Sequence, residues 1–501
     1  MFRDENRFMN DPDIPISLPA KAMQHSFAKN TVLLFVAQIV TKVLGFIVGV
    51  LLANYLDVDG FGQYNFALAF TALFIPLCDL GVDIFLTREL ASLGVEQQKL
   101  IGSAFVLKSL FSSTTLLLIG IVVWILPQSG APFELLILAG TYTILKAFSG
   151  TYIAVYRASH EMQYDANSTV VGKVLDLLAI GISIILQFDL TKLFLALVLA
   201  GVMHVFYTYA LFRMKHTTAL FAVSITHAKH LLRGALPFAL SGITVVIFFQ
   251  IDSVLLSYLT DNTAVGIYRS GYNLIFALTG FSAAIVVALF PHVAQNYQTD
   301  RTSALSAISS AVHFSILFAL PIAITTTFLA DGIINILYEP QYAAGAMSLR
   351  ILAWWLPLMY VANILGHVFG AINLQKIVLW ISIGNVIINV TMNLILIPLL
   401  RERGAAIATV ATELIGMTIS LILLRRRFGN VINLRRLISL LAANVILTAM
   451  LLFTTKLSFV LNAILACGVY TFALFATRAV TWQEIASLFH SFMSRKNTRS
   501  E

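Results

Sequence analysis

Residues 54–90 read NYLDVDGFGQYNFALAFTALFIPLCDLGVDIFLTREL, and the rest of the chain is organised around this stretch. An apolar helix is expected to end at Tyr55-Leu56, followed by a short polar turn carrying Asp57, Asp59, Gly60 and Gly62. A second apolar helix is expected from Gln63, closing on Asp79, Gly81, Asp83 and the pair Arg88-Glu89. About 200 residues later the same grammar recurs in DSVLLSYLTDNTAVGIYRSGYN (252–273): Tyr-Leu, an acidic turn, then Gly266 and Tyr268 in a Gly-x-Tyr step. Recurrence at that distance predicts a duplicated unit, a common building plan for transporters. The chain reads as two related halves.

Composition sets the surroundings in which those halves fold. Of 501 residues, 59% are hydrophobic and 11% charged, and mean hydropathy is +0.87. A soluble domain carries about 25% charged residues, so an integral membrane protein is expected. The two Cys residues, Cys78 and Cys467, sit in apolar runs and read as small buried hydrophobes rather than a disulfide framework. The net charge of +8 is spread over short loops, which argues against nucleic acid as a partner. The polar, proline-containing residues 1–25 lack the apolar core of a signal peptide and read as a cytosolic tail.

Counting runs long enough to cross hydrocarbon, about 20 residues each, predicts an all-α protein with about 14 transmembrane helices. The second is expected over 64–87, the eighth over 265–290 and the tenth over 346–373. Orientation follows from loop charge. With the N-terminus cytosolic, the tails and every second loop hold most of the 32 Lys and Arg residues, including Arg213, Lys215, Lys229, Arg233, Arg425–Arg427, Arg435 and Arg436. The opposite loops hold Lys192, Arg350, Arg401, Arg403 and Lys456. Both termini are therefore expected inside. The basic loops divide the chain into a six-helix bundle over 26–215, a second over 216–430, a helix pair over 431–480 and a cytosolic tail over 481–501. An even number of helices per bundle makes the halves parallel repeats. Pro76, Pro237, Pro321, Pro357 and Pro398 fall within spans, where they shape helices or let them bend.

Charges inside the spans are the informative residues, because an ionisable group at the bilayer centre costs roughly 2.5–3.5 kcal/mol and so faces protein or water. Lys42 lies near the middle of the first span, with Gln38, Gly45 and Gly49 on its face, a stripe suited to a cavity wall or a close helix contact. Lys146, flanked by Tyr142, Ser149 and Gly150, is the second candidate cavity cation. Lys173 and Asp176 stand three apart and can neutralise each other. Arg269 and Lys108 stand near span ends, where snorkelling to the headgroups competes with a site role. Asp79, Asp83, Asp176, Asp252 and Glu413 are candidates for ion coupling or gating, with H+ or Na+ as the coupling ion; local salt bridging is the competing reading for Asp79 and Asp83. Asn385, Asn389 and Asn393 repeat at four-residue steps and form a polar stripe, for helix contacts or for a hydroxyl-rich substrate.

Enzyme signatures and metal-ligand spacings are absent from the sequence, so neither a cofactor nor a catalytic residue is expected; nor is there a phosphate loop for an ATP-driven pump. The pieces ANYLDVDGFGQYNFALAF, DLGVDIFLTREL, QIDSVLLSYLTDNTAVGIYRSGYN and GAINLQKIVLWISIGNVIINVTMNLILIPLLRERGAAIATVATELIG, in that order, resemble the polysaccharide (oligosaccharide) flippases of the multidrug/oligosaccharidyl-lipid/polysaccharide exporter superfamily. The resemblance covers about residues 26–425. It implies a 14-helix transporter with a cavity between two bundles, moving lipid-linked glycans across the cytoplasmic membrane by alternating access. A polyprenyl (pyro)phosphate head needs a cationic, wet cavity, for which Lys42, Lys146, Arg269 and Lys173 are the candidates. Partners would be that glycolipid, membrane lipids and a coupling ion, with a monomer as the working unit. An ion-coupled small-molecule exporter of the same fold is the alternative. A membrane glycan polymerase or ligase is disfavoured, since no large outer loop is present to carry its chemistry.

Overall fold

The structure is a computed structural model that describes residues 20–90, 97–125, 131–215, 222–282, 299–454 and 457–480, together with Ile285, Val286 and Val293. The expected tail over 481–501, the tail as far as residue 19 and Lys456 lie outside the described residues. Among the described residues every regular element is helical. The first half comprises α1 (Ala20–Tyr55), α2 (Val58–Ala72), α3 (Ile75–Asp79), α4 (Val82–Leu90), α5 (Gln97–Ile125), α6 (Phe133–Ala158), α7 (Met162–Ile185) and α8 (Leu190–Lys215). The second comprises α9 (Ile225–Leu259), α10 (Asn262–Leu278), α11 (Arg301–Leu337), α12 (Gly345–Ala353), α13 (Trp355–Ala371), α14 (Gln375–Leu400) and α15 (Glu402–Phe428), and α16 (Leu434–Phe453) and α17 (Phe459–Ala476) follow.

Thirteen helical segments among the described residues are long and apolar enough to cross a membrane. The eighth expected span is represented by α10, and its continuation lies partly outside the described residues. Large apolar side chains such as Trp124, Ile185, Trp380 and Phe453 point outward all round the bundle, as a lipid-facing surface requires.

The acidic turns of the repeated motif are helix caps, not loops. Asp57 accepts from the Gly60 amide at 2.7 Å, and Asp261 accepts from the Ala264 amide at 2.8 Å. Each satisfies an orphan donor of the following helix. The second span therefore starts at Val58 rather than Gln63, and Asp59, Gly60 and Gly62 occupy its first turns. That span is also broken. Pro76 opens the short α3, and Leu80 (φ 46°) and Gly81 (φ 79°) take left-handed backbone before α4. The tenth span breaks at Trp354, between α12 and α13.

Packing repeats along with the sequence. In the first half α7 packs on α1 and α8, and α6 packs on α8; in the second α14 packs on α9 and α15, and α13 packs on α15. The halves meet where α2 crosses α10. A β-carbon at Gly62 would overlap the Asn262 carbonyl, and one at Gly266 would overlap the Val58 carbonyl. The repeated glycines thus let two backbones touch. Around this crossing the Tyr342 hydroxyl donates to the Ala53 carbonyl at 2.8 Å, and Asn54 Nδ2 donates to the Leu337 carbonyl at 2.8 Å. At the other end, the one bearing Arg213 and Arg425, Gly81 lies against α9, where a β-carbon would sit 2.6 Å from the Ala235 carbonyl oxygen. There too the Phe85 ring fills the space beside Gly234, and His230 Nε2 stands 2.9 Å from Glu89.

Gly62→Val and Gly266→Val should each lower the unfolding temperature of the purified protein, with overpacking costs of about 1–3 kcal/mol or more. Gly366→Val, where nothing lies within 4 Å of the new β-carbon, should be tolerated.

Candidate functional site

Between the two sealed ends the seam passes Lys42. Its helix runs beside α10, with Gly49 against Asn273 and Lys42 against Phe276, Thr279 and Gly280. Lys42 Nζ donates to Thr279 Oγ1 at 2.8 Å and to the Phe276 carbonyl at 3.3 Å, and lies 4.0 Å from the Phe276 ring centre. It is half-buried, and among the described residues it has no carboxylate partner. Gln38 is exposed one turn away, where its carbonyl accepts from Thr41.

The other three lysines singled out in the first half, Lys108, Lys146 and Lys173, are paired with carboxylates. Lys146 Nζ lies 2.8 Å from Asp176 and donates to the Gly172 carbonyl at 3.1 Å; Lys173 reaches the same carboxylate at 3.5 Å. The expected Lys173–Asp176 pair exists, and Lys146 joins it from the neighbouring helix. His204 is buried beside this group, within hydrogen-bond reach of Ser149 and Ser168. Lys108 does not snorkel. Its side chain is 1% exposed and bridges Asp79 and Asp83, each at 2.8 Å, while Thr151 donates to Asp83 at 2.8 Å. Two carboxylates, one from each side of the Leu80–Gly81 break, hold a buried ammonium more favourably than the headgroups can, because α5 packs directly on α3 and α4. The expected salt bridging of Asp79 and Asp83 thus runs to Lys108, not to Arg88.

In the second half Asp252 is buried, with no cation beside it among the described residues. It accepts from Asn393 Nδ2 at 2.7 Å, Thr409 Oγ1 at 2.6 Å and the Tyr268 hydroxyl at 2.9 Å. Asn389 lies in the same group, and Asn393 Oδ1 is buried with no partner. Arg269 also turns inward instead of snorkelling. Its Nε donates to Ser253 Oγ at 2.6 Å, its Nη2 donates to Gln250 Oε1 at 2.9 Å, and it lies over the Tyr272 ring. Glu413 is buried and takes a hydrogen bond from Trp355 Nε1 at 3.2 Å. It faces an open cavity of about 500 Å³ lined by α9, α13, α14 and α15. The asparagine row therefore divides: Asn385 lines that cavity, whereas Asn389 and Asn393 serve Asp252.

Tyr268 and Thr409 escaped the reading of the sequence, as did Thr279 and Phe276. Only Tyr268 carried a signal, the repeated Gly-x-Tyr step; a lone Thr or Phe in an apolar span carries none. No group of three or more metal-type His, Cys, Asp and Glu side chains exists among the described residues.

Comparison with known proteins agrees with this architecture. The family model for polysaccharide biosynthesis protein matches residues 27–297. The chain belongs to that family. A second model, MatE, matches residues 237–395. Curated relatives include the probable low-salt glycan biosynthesis flippase Agl15 of Haloferax volcanii, 25% identical over 39% of this chain and 42% of the relative. The probable lipid II flippase MurJ of Rickettsia prowazekii is 26% identical over 43% and 44%. The chain thus spans less than half the length of these two relatives. Among solved structures, lipid II flippase MurJ in an inward closed conformation matches 92% of this chain and 99% of its own with a TM-score of 0.72 at 15% identity. An inward-facing multidrug transporter of the MATE family matches 80% and 98% with a TM-score of 0.65 at 16% identity. The chain is thus a multi-pass membrane protein of the polysaccharide biosynthesis protein family, with the fold that these two solved structures share.

Lys108→Met leaves Asp79 and Asp83 facing each other with no cation, and breaking such a buried set should destabilise by about 3–5 kcal/mol. Lys42→Met strands no carboxylate and should leave the unfolding midpoint in denaturant nearly unchanged.

Proposed function

We propose that this family member moves a polyprenyl-(pyro)phosphate-linked oligosaccharide across the cytoplasmic membrane by alternating access, for assembly of a cell-surface glycan. The observation that carries this reading is Lys42: a mid-membrane cation on the seam, held by a hydroxyl and a carbonyl and neutralised by nothing on its own chain among the described residues. A charge kept in that position at a cost of several kcal/mol needs an anion from elsewhere, and the phosphate of a lipid carrier supplies one. Lys146 and Lys173, satisfied by Asp176, have the secondary role of placing positive charge nearby. The polyprenyl tail stays in lipid, so only the head requires shelter. The two halves, 26–215 and 216–430, rock about the α2–α10 crossing, with both termini cytosolic and a single chain forming the whole path.

Asp252 is the best-placed coupling group. Its carboxylate accepts from Asn393 Nδ2, Thr409 Oγ1 and the Tyr268 hydroxyl and has no cation beside it among the described residues, so it is able to hold a proton or a small hard cation such as Na+.

The test is transbilayer movement of a fluorescent undecaprenyl-pyrophosphate disaccharide in proteoliposomes. Lys42→Ala should slow it about tenfold, equivalent to about 1.4 kcal/mol, and Lys42→Arg should restore part of the rate. Wild-type movement in Lys42→Ala would overturn the role of the cation. No glycolipid movement, with saturable efflux of a small organic cation instead, would favour the exporter reading that the MatE match keeps open. In the same vesicles, imposed Na+ and pH gradients should change the wild-type rate through one ion only, and Asp252→Asn should abolish that response.

A further inference from the structure

The cavity inside the second half has no place in the reading above, which needs only a cation and a seam. Its walls are specific in kind. Phe248 and Phe249 line it from α9, Asn363 and His367 from α13, Ser382 and Asn385 from α14, and Glu413 from α15. No Lys or Arg is among the lining residues, so the pocket cannot take a phosphate. Its volume, about 500 Å³, lies within the range of small-ligand sites, about 300–1,000 Å³. Its polar groups mix donors with acceptors: two amides, three hydroxyls, an imidazole and a carboxyl. Asn363 Nδ2 donates to Ser282, His367 Nδ1 stands 2.9 Å from the Asn363 carbonyl, Thr244 and Ser420 bond back to their own helices, and one Glu413 oxygen accepts from Trp355, which leaves the Asn385 amide, the Ser382 hydroxyl and the second Glu413 oxygen for a ligand. Asn385 is pressed against Gly416, where a β-carbon would displace its amide, so this group is held in one place.

The pocket adjoins the cation. Lys42 lies on the Phe276 ring, and Phe276 meets Phe249 edge-on with ring centres 5.8 Å apart. Phe249 is a wall of the cavity and makes a second edge contact with Phe248 at 5.5 Å. An anion on Lys42 thus lies two ring contacts from a polar, hydroxyl-matching pocket with aromatic walls.

Building on the flippase reading, we propose that this cavity is the glycan subsite, receiving the uncharged sugar units while Lys42 holds the phosphate. Sugar rings offer hydroxyls that both donate and accept, which Asn385, Ser382 and Glu413 match, and an apolar C–H face that packs on Phe248 and Phe249. The pocket also sets specificity. Two carboxyls confined together cannot both ionise, so Glu413 disfavours a uronic acid and favours neutral or N-acetylated sugars.

Binding to the full-length protein in nanodiscs tests this, with three probes: undecaprenyl pyrophosphate, the same lipid bearing di-N-acetylchitobiose, and the same lipid bearing a disaccharide that ends in glucuronate. The chitobiosyl lipid should bind about tenfold more tightly than the sugar-free lipid, a step of about 1.4 kcal/mol. That ratio should fall towards one in Asn385→Leu and, as a check independent of the Gly416 contact, in Phe248→Ala. Glu413→Gln should improve binding of the glucuronate lipid. Equal affinity for sugar-free and chitobiosyl lipids in the wild type would overturn the subsite while leaving the flippase reading intact. So would saturable binding of tetraphenylphosphonium that competes with the chitobiosyl lipid and is lost in Glu413→Gln, which would give the pocket to organic cations. Failure of every lipid probe to bind would remove the flippase reading itself.

Discussion

An ionised side chain in hydrocarbon must find its partner inside the protein or do without, and the fold is arranged by how each half meets that demand. In the first half, Lys108 ties α5 to both α3 and α4 through two carboxylates, and Lys146 ties α6 to α7 through Asp176. These bonds lie within one half. They make it a unit that can move as a body, because breaking any of them would expose an unpaired charge to a low dielectric. Lys42 is the exception. It reaches across to the other half and rests on neutral groups, so separation of the halves there breaks two hydrogen bonds and leaves no carboxylate unpaired.

The seam itself follows the same economy of commitment. At one end it is closed by backbone contact, Gly62 and Gly266 admitting each other's helices, with a few hydrogen bonds to Ala53 and Leu337. At the other it is closed by Gly81, the Phe85 ring beside Gly234, and one His230–Glu89 contact. Close packing of small residues gains dispersion energy with little desolvation of charge. Such contacts open and reform more readily than buried ion pairs. The left-handed step at Leu80–Gly81 separates α3 from α4 at this second contact, so that the segment touching α9 is short and locally articulated.

Much of this was legible before any coordinates. The duplicated Tyr-Leu/acidic/Gly-x-Tyr grammar marked the crossing helices because capping and close approach are local demands, met by particular residue types at fixed spacing. The Lys173–Asp176 pair was legible for the same reason, being three residues apart on one helix. Partnerships between helices were not. Nothing in the sequence ties Lys108 to Asp79 and Asp83, or Asp252 to Thr409, since the apolar spans between them can be stacked in many orders. The asparagine row shows the limit clearly: its four-residue spacing predicted a stripe, and the twist of α14 against α9 and α15 then sent Asn389 and Asn393 to Asp252 and left Asn385 on a cavity.

The halves share a scaffold but have diverged in chemistry, and the divergence has a direction. Where the first half places Asp176 it also places two lysines, closing the site with charge. Where the second half places Glu413 it places an indole and an open pocket; where it places Asp252 it places hydroxyls and amides. Neutral donors satisfy a carboxylate less completely than an ammonium does, and it is this difference that the proposed coupling and glycan-binding roles of the two acids rest on. Lys42 apart, the intra-span charges of the first half that the reading of the sequence singled out are paired, while the second half keeps unfilled hydrogen-bonding capacity beside the seam. A duplicated fold in which one copy supplies the anchoring charge and the other the adaptable pocket can hold an anionic head and its neutral cargo at once, which two identical halves could not do.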